Sequence, residues 1–249
     1  RRSGYDRGVN TFNPDGRLFQ VEYAIKAIEL GSLAVGIQTA QGIVLAAEKR
    51  TTSPLLEKSS IEKVYEVDTH VGVAASGLTA DARTLVDRVR VEAQNHTFVY
   101  AEPMRPESLM QSLSDTMISF GEGDSDDRKV KMGRPFGVSL LLGGVDGGKP
   151  VMYCIDPSGT FVQYHAHAIG SGGEGARGML QERYDSEMTL EDALTTTMRV
   201  LVETMEDAVS GDNCEFVTVT PEGGYETLSE AAVGALITKA KEQKAKEEA

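Results

Sequence analysis

Apolar residues along this chain change period several times, and each change marks an element. At 100° per residue, Leu18, Val21, Ile25 and Ile28 fall on one stripe of a helix, while Phe19, Tyr23, Ala27 and Leu30 fall on a second stripe nearly opposite. A helix that is apolar on two sides needs two partners to cover it. Gly31 stops that helix, and the β-branched runs 33–39 and 43–48 flank Ala40-Gln41-Gly42 as a hairpin. Residues 64–68 and 71–76 form a second pair of strands. Helical spacing then takes over: Ala82, Leu85, Val86, Val89 and Ala93 share a face, and 107–120 makes another helix after Pro106.

The second half repeats the scheme. Strands are predicted at 137–145, followed by the turn Asp146-Gly147-Gly148, then at 151–155, 160–164 and 166–169. Two helices come next. The later one, 189–209, opens on the capping box Thr189-Leu190-Glu191-Asp192 and turns Leu194, Met198, Leu201, Val202 and Met205 inward. A last strand pair, 216–220 and 225–228, precedes a terminal helix from Ser229. Hairpins followed by helix pairs, twice over, give two antiparallel sheets covered by helices rather than alternating βα units. The predicted fold class is therefore α+β, a four-layer αββα sandwich with an extra helix in front, built as a single domain over 1–249.

Bulk properties narrow the function. The 40% hydrophobic and 25% charged content suits a chain with a sizeable core. A net charge of −13 argues against nucleic acid or an anionic membrane as partner, since both call for a basic footprint. No run reaches the roughly 18 apolar residues of a membrane span, and Arg1-Arg2-Ser3-Gly4 carries no apolar signal core, so an intracellular protein is expected. Cys154 and Cys214 stand 60 positions apart without metal-type spacing and read as buried, reduced thiols. The acidic stretch 122–127 and the Lys/Glu-rich tail 239–249 read as solvated surface.

The N-terminal stretch is the most specific. It runs from Tyr5-Asp6-Arg7-Gly8 through Asn10, Phe12, Asn13-Pro14-Asp15-Gly16-Arg17 into Gln20-Val21-Glu22-Tyr23-Ala24 and Ala27. These residues resemble the signature of proteasome alpha subunits, with Asn13 standing where that family usually has serine; asparagine is an equally competent turn residue. The resemblance covers almost the whole chain. Glu92-Ala93-Gln94-Asn95-His96 and 156–163 are most similar to the type-5 branch of that family.

The resemblance implies the fold of N-terminal nucleophile hydrolases, again an αββα sandwich, and a non-catalytic subunit. It implies a place in a seven-membered alpha ring of the 20S core, stacked on beta subunits that cut peptide bonds, in cytoplasm and nucleus. It divides the chain into a mobile gate tail over 1–13, a helix over 14–30 and the charged tail. Tyr5, Asp6, Arg7, Pro14 and Tyr23 map onto the residues that hold the tails above the pore. Lys63 maps onto the lysine that pairs with the C-terminal carboxylate of a regulatory particle or activator, and Leu78 onto an apolar wall of the same pocket. No cofactor and no metal are implied.

Catalytic members of that fold use an N-terminal small nucleophile whose own α-amine is the base, which requires cleavage just before it. The corresponding position is Ser32, with Glu48, Arg50 and Lys63 at spacings resembling the acidic, basic and lysine positions of those enzymes. Within an unbroken chain the Ser32 nitrogen is an amide and cannot act as a base. An autoprocessed hydrolase with Ser32 as nucleophile is the alternative, and an alpha-only cage is a third reading. Gly170-Ser171-Gly172-Gly173-Glu174-Gly175 matches G-x-G-x-x-G, but antiparallel neighbours make it a tight turn into a helix rather than a dinucleotide site. His165 and His167 share a strand face, and with four histidines in all and no third ligand nearby no metal site is read.

Overall fold

The computed structural model describes residues 8–50, 53, 55–57, 60–121 and 133–247. Tyr5, Asp6 and Arg7 and the acidic stretch 122–127 lie outside the described residues. The strands form two five-stranded sheets, antiparallel throughout. One contains β1 (Ala34–Gln38), β2 (Ile43–Glu48), β8 (Ala166–Ile169), β9 (Cys214–Thr220) and β10 (Gly224–Thr227), in the order β10-β9-β2-β1-β8. The other contains β3 (Val64–Asp68), β4 (Val71–Gly77), β5 (Val138–Asp146), β6 (Lys149–Ile155) and β7 (Phe161–Gln163), in sequence order.

Helices cover the outer face of each sheet. Helices α2 (Thr79–Tyr100) and α3 (Pro106–Met117) pack on the β3–β7 sheet, and α4 (Gly173–Arg183), α5 (Leu190–Thr204) and α6 (Glu230–Glu247) cover the other. Between the sheets Ile43, Leu45, Val217 and Val219 meet Ala74, Leu141 and Met152. Strand β2 is buried at every position, so its unbroken run Ile43-Val44-Leu45-Ala46-Ala47 reflects burial on both faces rather than half-exposed alternation. Across the two sheets, a Cβ at Gly36 of β1 would lie 2.5 Å from the Met152 sulfur of β6. The four-layer αββα sandwich expected from the pattern is the observed architecture.

Three boundaries differ from the expectation, each through a contact that local spacing does not carry. The first helix, expected over 14–30, is α1 (Phe19–Glu29). Asn13 captures the preceding residues in a turn, its Oδ1 accepting from the amides of Asp15 (3.1 Å) and Arg17 (2.7 Å). The tail 239–249 is helical through Glu247, because Ala240 is buried against the α5 layer and the Lys239 ammonium pairs with Glu191. The helix expected over 189–209 ends at Thr204, where Met205 turns extended with ψ 138.

Helix α1 lies across β4 and β5, at the start of the sandwich. Of its two apolar stripes the chain covers only part of one: Val21 and Ile28 are buried, whereas Tyr23 is 49% and Leu30 79% exposed.

Candidate functional site

The junction between α1 and β1, near the sequence-predicted site residues, is fastened by both backbone and side-chain contacts. Gly31 is required there, since a Cβ would sit 2.6 Å from the Gly77 nitrogen and 2.7 Å from Ser76 Oγ. Ser76, buried in β4, donates its hydroxyl to the Ser32 carbonyl (2.8 Å). The Leu33 amide donates to Glu48 Oε2 (3.0 Å), the other Glu48 oxygen accepts from Arg50 Nε (3.1 Å), and Arg50 Nη1 donates to the Leu30 carbonyl (3.1 Å). Glu48 and Arg50 thus form a bracket over residues 30–33, tying the end of α1 to the start of β1.

Ser32 itself is buried, and among the described residues its Oγ has no hydrogen-bond partner. A serine acting as nucleophile needs a base within about 2.6–3.2 Å. Here the acidic residue holds a backbone amide, the arginine holds a backbone carbonyl, and neither touches the hydroxyl. The glycine-rich stretch closes the junction from behind: Ser171 donates its amide to the Gly31 carbonyl (2.8 Å), and Gly170, at φ +94, would bring a Cβ within 2.4 Å of the Ser32 oxygen. Strand β8 before it is antiparallel to β1, so the parallel unit of a dinucleotide site is absent and the stretch serves as a turn into α4.

Beside the junction lies a cavity of about 380 Å³ lined by Leu30, Ser32, Arg50, Glu62, Lys63 and Arg83, among others. Lys63 reaches it because Glu215 of β9 accepts from the Lys63 and Val64 amides (3.0 and 3.4 Å), pinning that segment to the opposite sheet. The Lys63 ammonium donates to Thr79 Oγ1 at 3.3 Å. Burial pushes its pKa below the usual 10.5, the Arg50 cation adds to the shift, and Glu48 partly opposes it. Three cations around one small cavity can take a carboxylate or another anion. Leu78 stands next to Thr79 as the residue capping α2, half-exposed and packed on Gly137, outside the residues lining the cavity.

At the other end of α1 the Asn13 turn carries Pro14 in an exposed position. The turn is anchored onto the helix by the forked pair of Arg17 with Glu22, Nη2 to Oε2 at 2.7 Å. Tyr23 stacks on Phe19 with ring centroids 6.2 Å apart and leaves its outer face open. The structure therefore brings Lys63 to one end of α1 and Pro14 to the other, with Tyr23 on the helix between them. Sequence reading missed Thr79, Arg83 and Glu215. Only Glu215, a charge immediately before the predicted strand 216–220, carried a signal of its own.

The other singled-out residues have structural partners. His165 stacks on Tyr184 and His167 on Tyr164, with centroids 5.9 and 4.1 Å apart. Burial lowers the His167 pKa to about 4, so it is neutral at ordinary pH. Cys154 and Cys214 are free thiols, and burial raises them to about 12 and about 11, far from the thiolate range. Among the described residues no three His, Cys, Asp or Glu side chains are grouped to hold a metal, and no helix is long and apolar enough to cross a membrane.

An αββα sandwich with a buried serine between a leading helix and the first strand defines a class, and comparison with known proteins identifies it. The proteasome subunit family pattern matches residues 28–219, and the N-terminal signature of proteasome A-type subunits matches residues 5–27. The chain belongs to the proteasome subunit family, in its alpha branch. Within that branch it is similar to the proteasome alpha type-5 subunit of Drosophila melanogaster, 53% identical over 89% of this chain and 91% of the relative. It is also similar to the probable proteasome alpha type-5 subunit of Schizosaccharomyces pombe, 51% identical over 90% of each chain. The alpha type-5 subunit of Dictyostelium discoideum is 52% identical over 88% of this chain and 89% of its own.

Proposed function

We propose that this chain is a non-catalytic, structural and gating subunit of the 20S proteasome alpha ring. It sits among other alpha subunits in a seven-membered ring, stacks on beta subunits that carry the threonine endopeptidase activity, and controls admission of substrates in ubiquitin-dependent and ubiquitin-independent degradation. Its location is the cytoplasm and nucleus. The observation that carries the non-catalytic reading is the α1–β1 junction, where Ser32 Oγ is buried without a partner among the described residues and Glu48 and Arg50 are occupied by backbone groups. The half-covered α1 supports assembly, because its open stripe of Tyr23 and Leu30 is apolar surface that a neighbouring subunit would bury.

The gate is assigned to Tyr5, Asp6 and Arg7 together with Pro14 and Tyr23. Hydrogen bonds of about 1 kcal/mol each are weak enough to be exchanged between an open and a closed arrangement, and a differential affinity of a few kcal/mol suffices to switch them. The test is deletion of residues 1–8 in assembled particles. Small-peptide hydrolysis should rise, and an unchanged rate removes the gate role.

Docking of regulatory particles or activators is assigned to the Lys63 cavity, with Leu78 as its apolar neighbour. A C-terminal carboxylate placed between Lys63 and Arg50 would relieve the mutual repulsion of the two cations. Lys63→Ala should weaken binding of an activator tail at this pocket by about tenfold or more, the size expected for a lost charge-assisted contact. Binding that stays unaltered removes Lys63 from the site. The lowered Lys63 pKa also means that docking fades at a lower pH than an ordinary lysine would impose, because only the ammonium form pairs with the carboxylate.

A further inference from the structure

Another cavity, of about 420 Å³, lies between α2, α3 and the segment leading into β5. Its size falls in the range of roughly 300–1,000 Å³ typical of small-molecule sites. One wall is Phe136, 2% exposed and part of the core beneath α2 and α3; another is Val91, 59% exposed. Thr84 and Thr116 also line the cavity, and each turns its hydroxyl back onto its own helix, to the carbonyls of Ala80 (3.0 Å) and Ser112 (2.9 Å). Their methyl groups are what remains for the cavity, so its walls are mainly hydrocarbon.

Set among these walls is Arg88, whose Nε is buried without a hydrogen-bond partner. Among the described residues its guanidinium forms no ion pair. Other arginines around α2 are satisfied: Arg90 donates to the Glu66 carbonyl (2.8 Å) and to Asp87 (3.2 Å), and Arg134 forks onto Asp81 (2.7 and 2.9 Å). Glu92 stands four positions along α2 and lines the same cavity, yet the two form no ion pair; arginine ahead of glutamate is the less favourable order at that spacing. A buried donor of a charged group that lacks a partner bears the full cost of its lost hydration. An anion in the cavity would remove that cost.

We infer that this cavity binds a small organic acid, its carboxylate meeting Arg88 and its aryl or branched-alkyl body lying against Phe136, Val91 and the threonine methyls. The planar fork of a guanidinium matches the two oxygens of a carboxylate, and Asn95, two turns along the same face of α2, adds an amide donor at the cavity. Glu92 narrows the class. Its carboxylate repels a second negative charge, so a monoacid with an apolar body is favoured over a dianion or a phosphate. The site uses only this chain's own fold and is independent of the docking reading at Lys63.

The test titrates the full-length chain with 1-naphthylacetate and, separately, with the uncharged 1-naphthylacetamide, by calorimetry and by spectra of methyl-labelled valine. The acid should bind one to one, shift the Val91 methyl signals and bind about tenfold or more tightly than the amide, the size of a charge-assisted contact. Arg88→Gln should bring the acid down to the affinity of the amide and leave the amide unchanged. Inorganic phosphate at the same concentration should not displace the acid. If Arg88→Gln does not fold, as judged by circular dichroism, Thr84→Phe carries the test: it fills the cavity from an exposed position on α2 and should abolish binding of both probes. No saturable binding, equal affinity for acid and amide, a preference for the acid that survives Arg88→Gln, or binding untouched by Thr84→Phe overturns the site. Displacement by phosphate overturns the monoacid class.

Discussion

Helices α5 and α1 are both amphipathic, but they are held by different means. Helix α5 begins with a reciprocal capping box, Thr189 Oγ1 accepting from the Asp192 amide (3.2 Å) and Asp192 accepting from the Thr189 amide (3.1 Å). Its inner residues Ala193, Met198 and Leu201 are fully buried. Helix α1 has no side-chain cap, buries only Val21 and Ile28, and leaves Tyr23, Ile25 and Leu30 exposed. The chain finishes α5 by itself and leaves α1 to be completed by neighbours. Helix α1 is thus held on the sandwich by two buried side chains and by polar contacts at its ends, whereas α5 is built into the core.

Substitutions can break that contrast. The largest effect is expected in the core: Leu201→Ala should cost about 2–5 kcal/mol of folding stability in the isolated chain, measured by urea unfolding. Tyr23→Ala should change the same quantity by no more than about 0.5 kcal/mol yet lower the fraction of the protein found in rings. If Tyr23→Ala destabilises the isolated chain as much as Leu201→Ala, α1 is part of the core and the contrast fails.

A smaller effect is expected where α2 is fastened. Burial alone would raise the Asp81 carboxyl, but two hydrogen bonds from Arg134 (2.7 and 2.9 Å) and one from the Gly137 amide (2.9 Å) outweigh it and hold the pKa below the usual 3.8. A depressed acid stabilises the fold above its unfolded pKa and loses that contribution as pH falls through the folded value. Asp81→Asn should therefore cost about 2 kcal/mol at neutral pH, with the gap to the parent closing below about pH 4. A gap that persists in acid would mean that packing, not charge, holds the site. Thr189→Ala should cost about 1 kcal/mol by removing the α5 cap, and no loss would place the stability of α5 wholly in its buried face.

Most of the sandwich was legible in the sequence because its strands advertise themselves locally. Residues 43–48 and 64–68 are strands at the bounds their composition suggested, and the capping box at Thr189 formed as its spacing required. What escaped depended on contacts far along the chain. The start of α1 was misplaced because the Asn13 side chain diverts the backbone. The terminal helix was expected from Ser229, but how far it runs into the charged tail was not legible, because Ala240 is an anchor only once α5 is beneath it. Strands 160–164 and 166–169 are adjacent in the sequence, yet β7 joins one sheet and β8 the other, and only the pairing with β6 and β1 separates them. The candidate site was named in its residue types by the family resemblance. Its wiring was not, since the Arg50 hold on Leu30 and the Glu215 grip on Lys63 join residues 20 and 152 positions apart.

The central claim, that sealing Ser32 leaves a scaffold and gate rather than an enzyme, is tested most directly by the intact mass and N-terminal sequence of this protein isolated from assembled particles. The account predicts a polypeptide in which the Gly31–Ser32 peptide bond is whole. A population beginning at Ser32, able to be labelled there by a reagent for N-terminal nucleophiles, would contradict it.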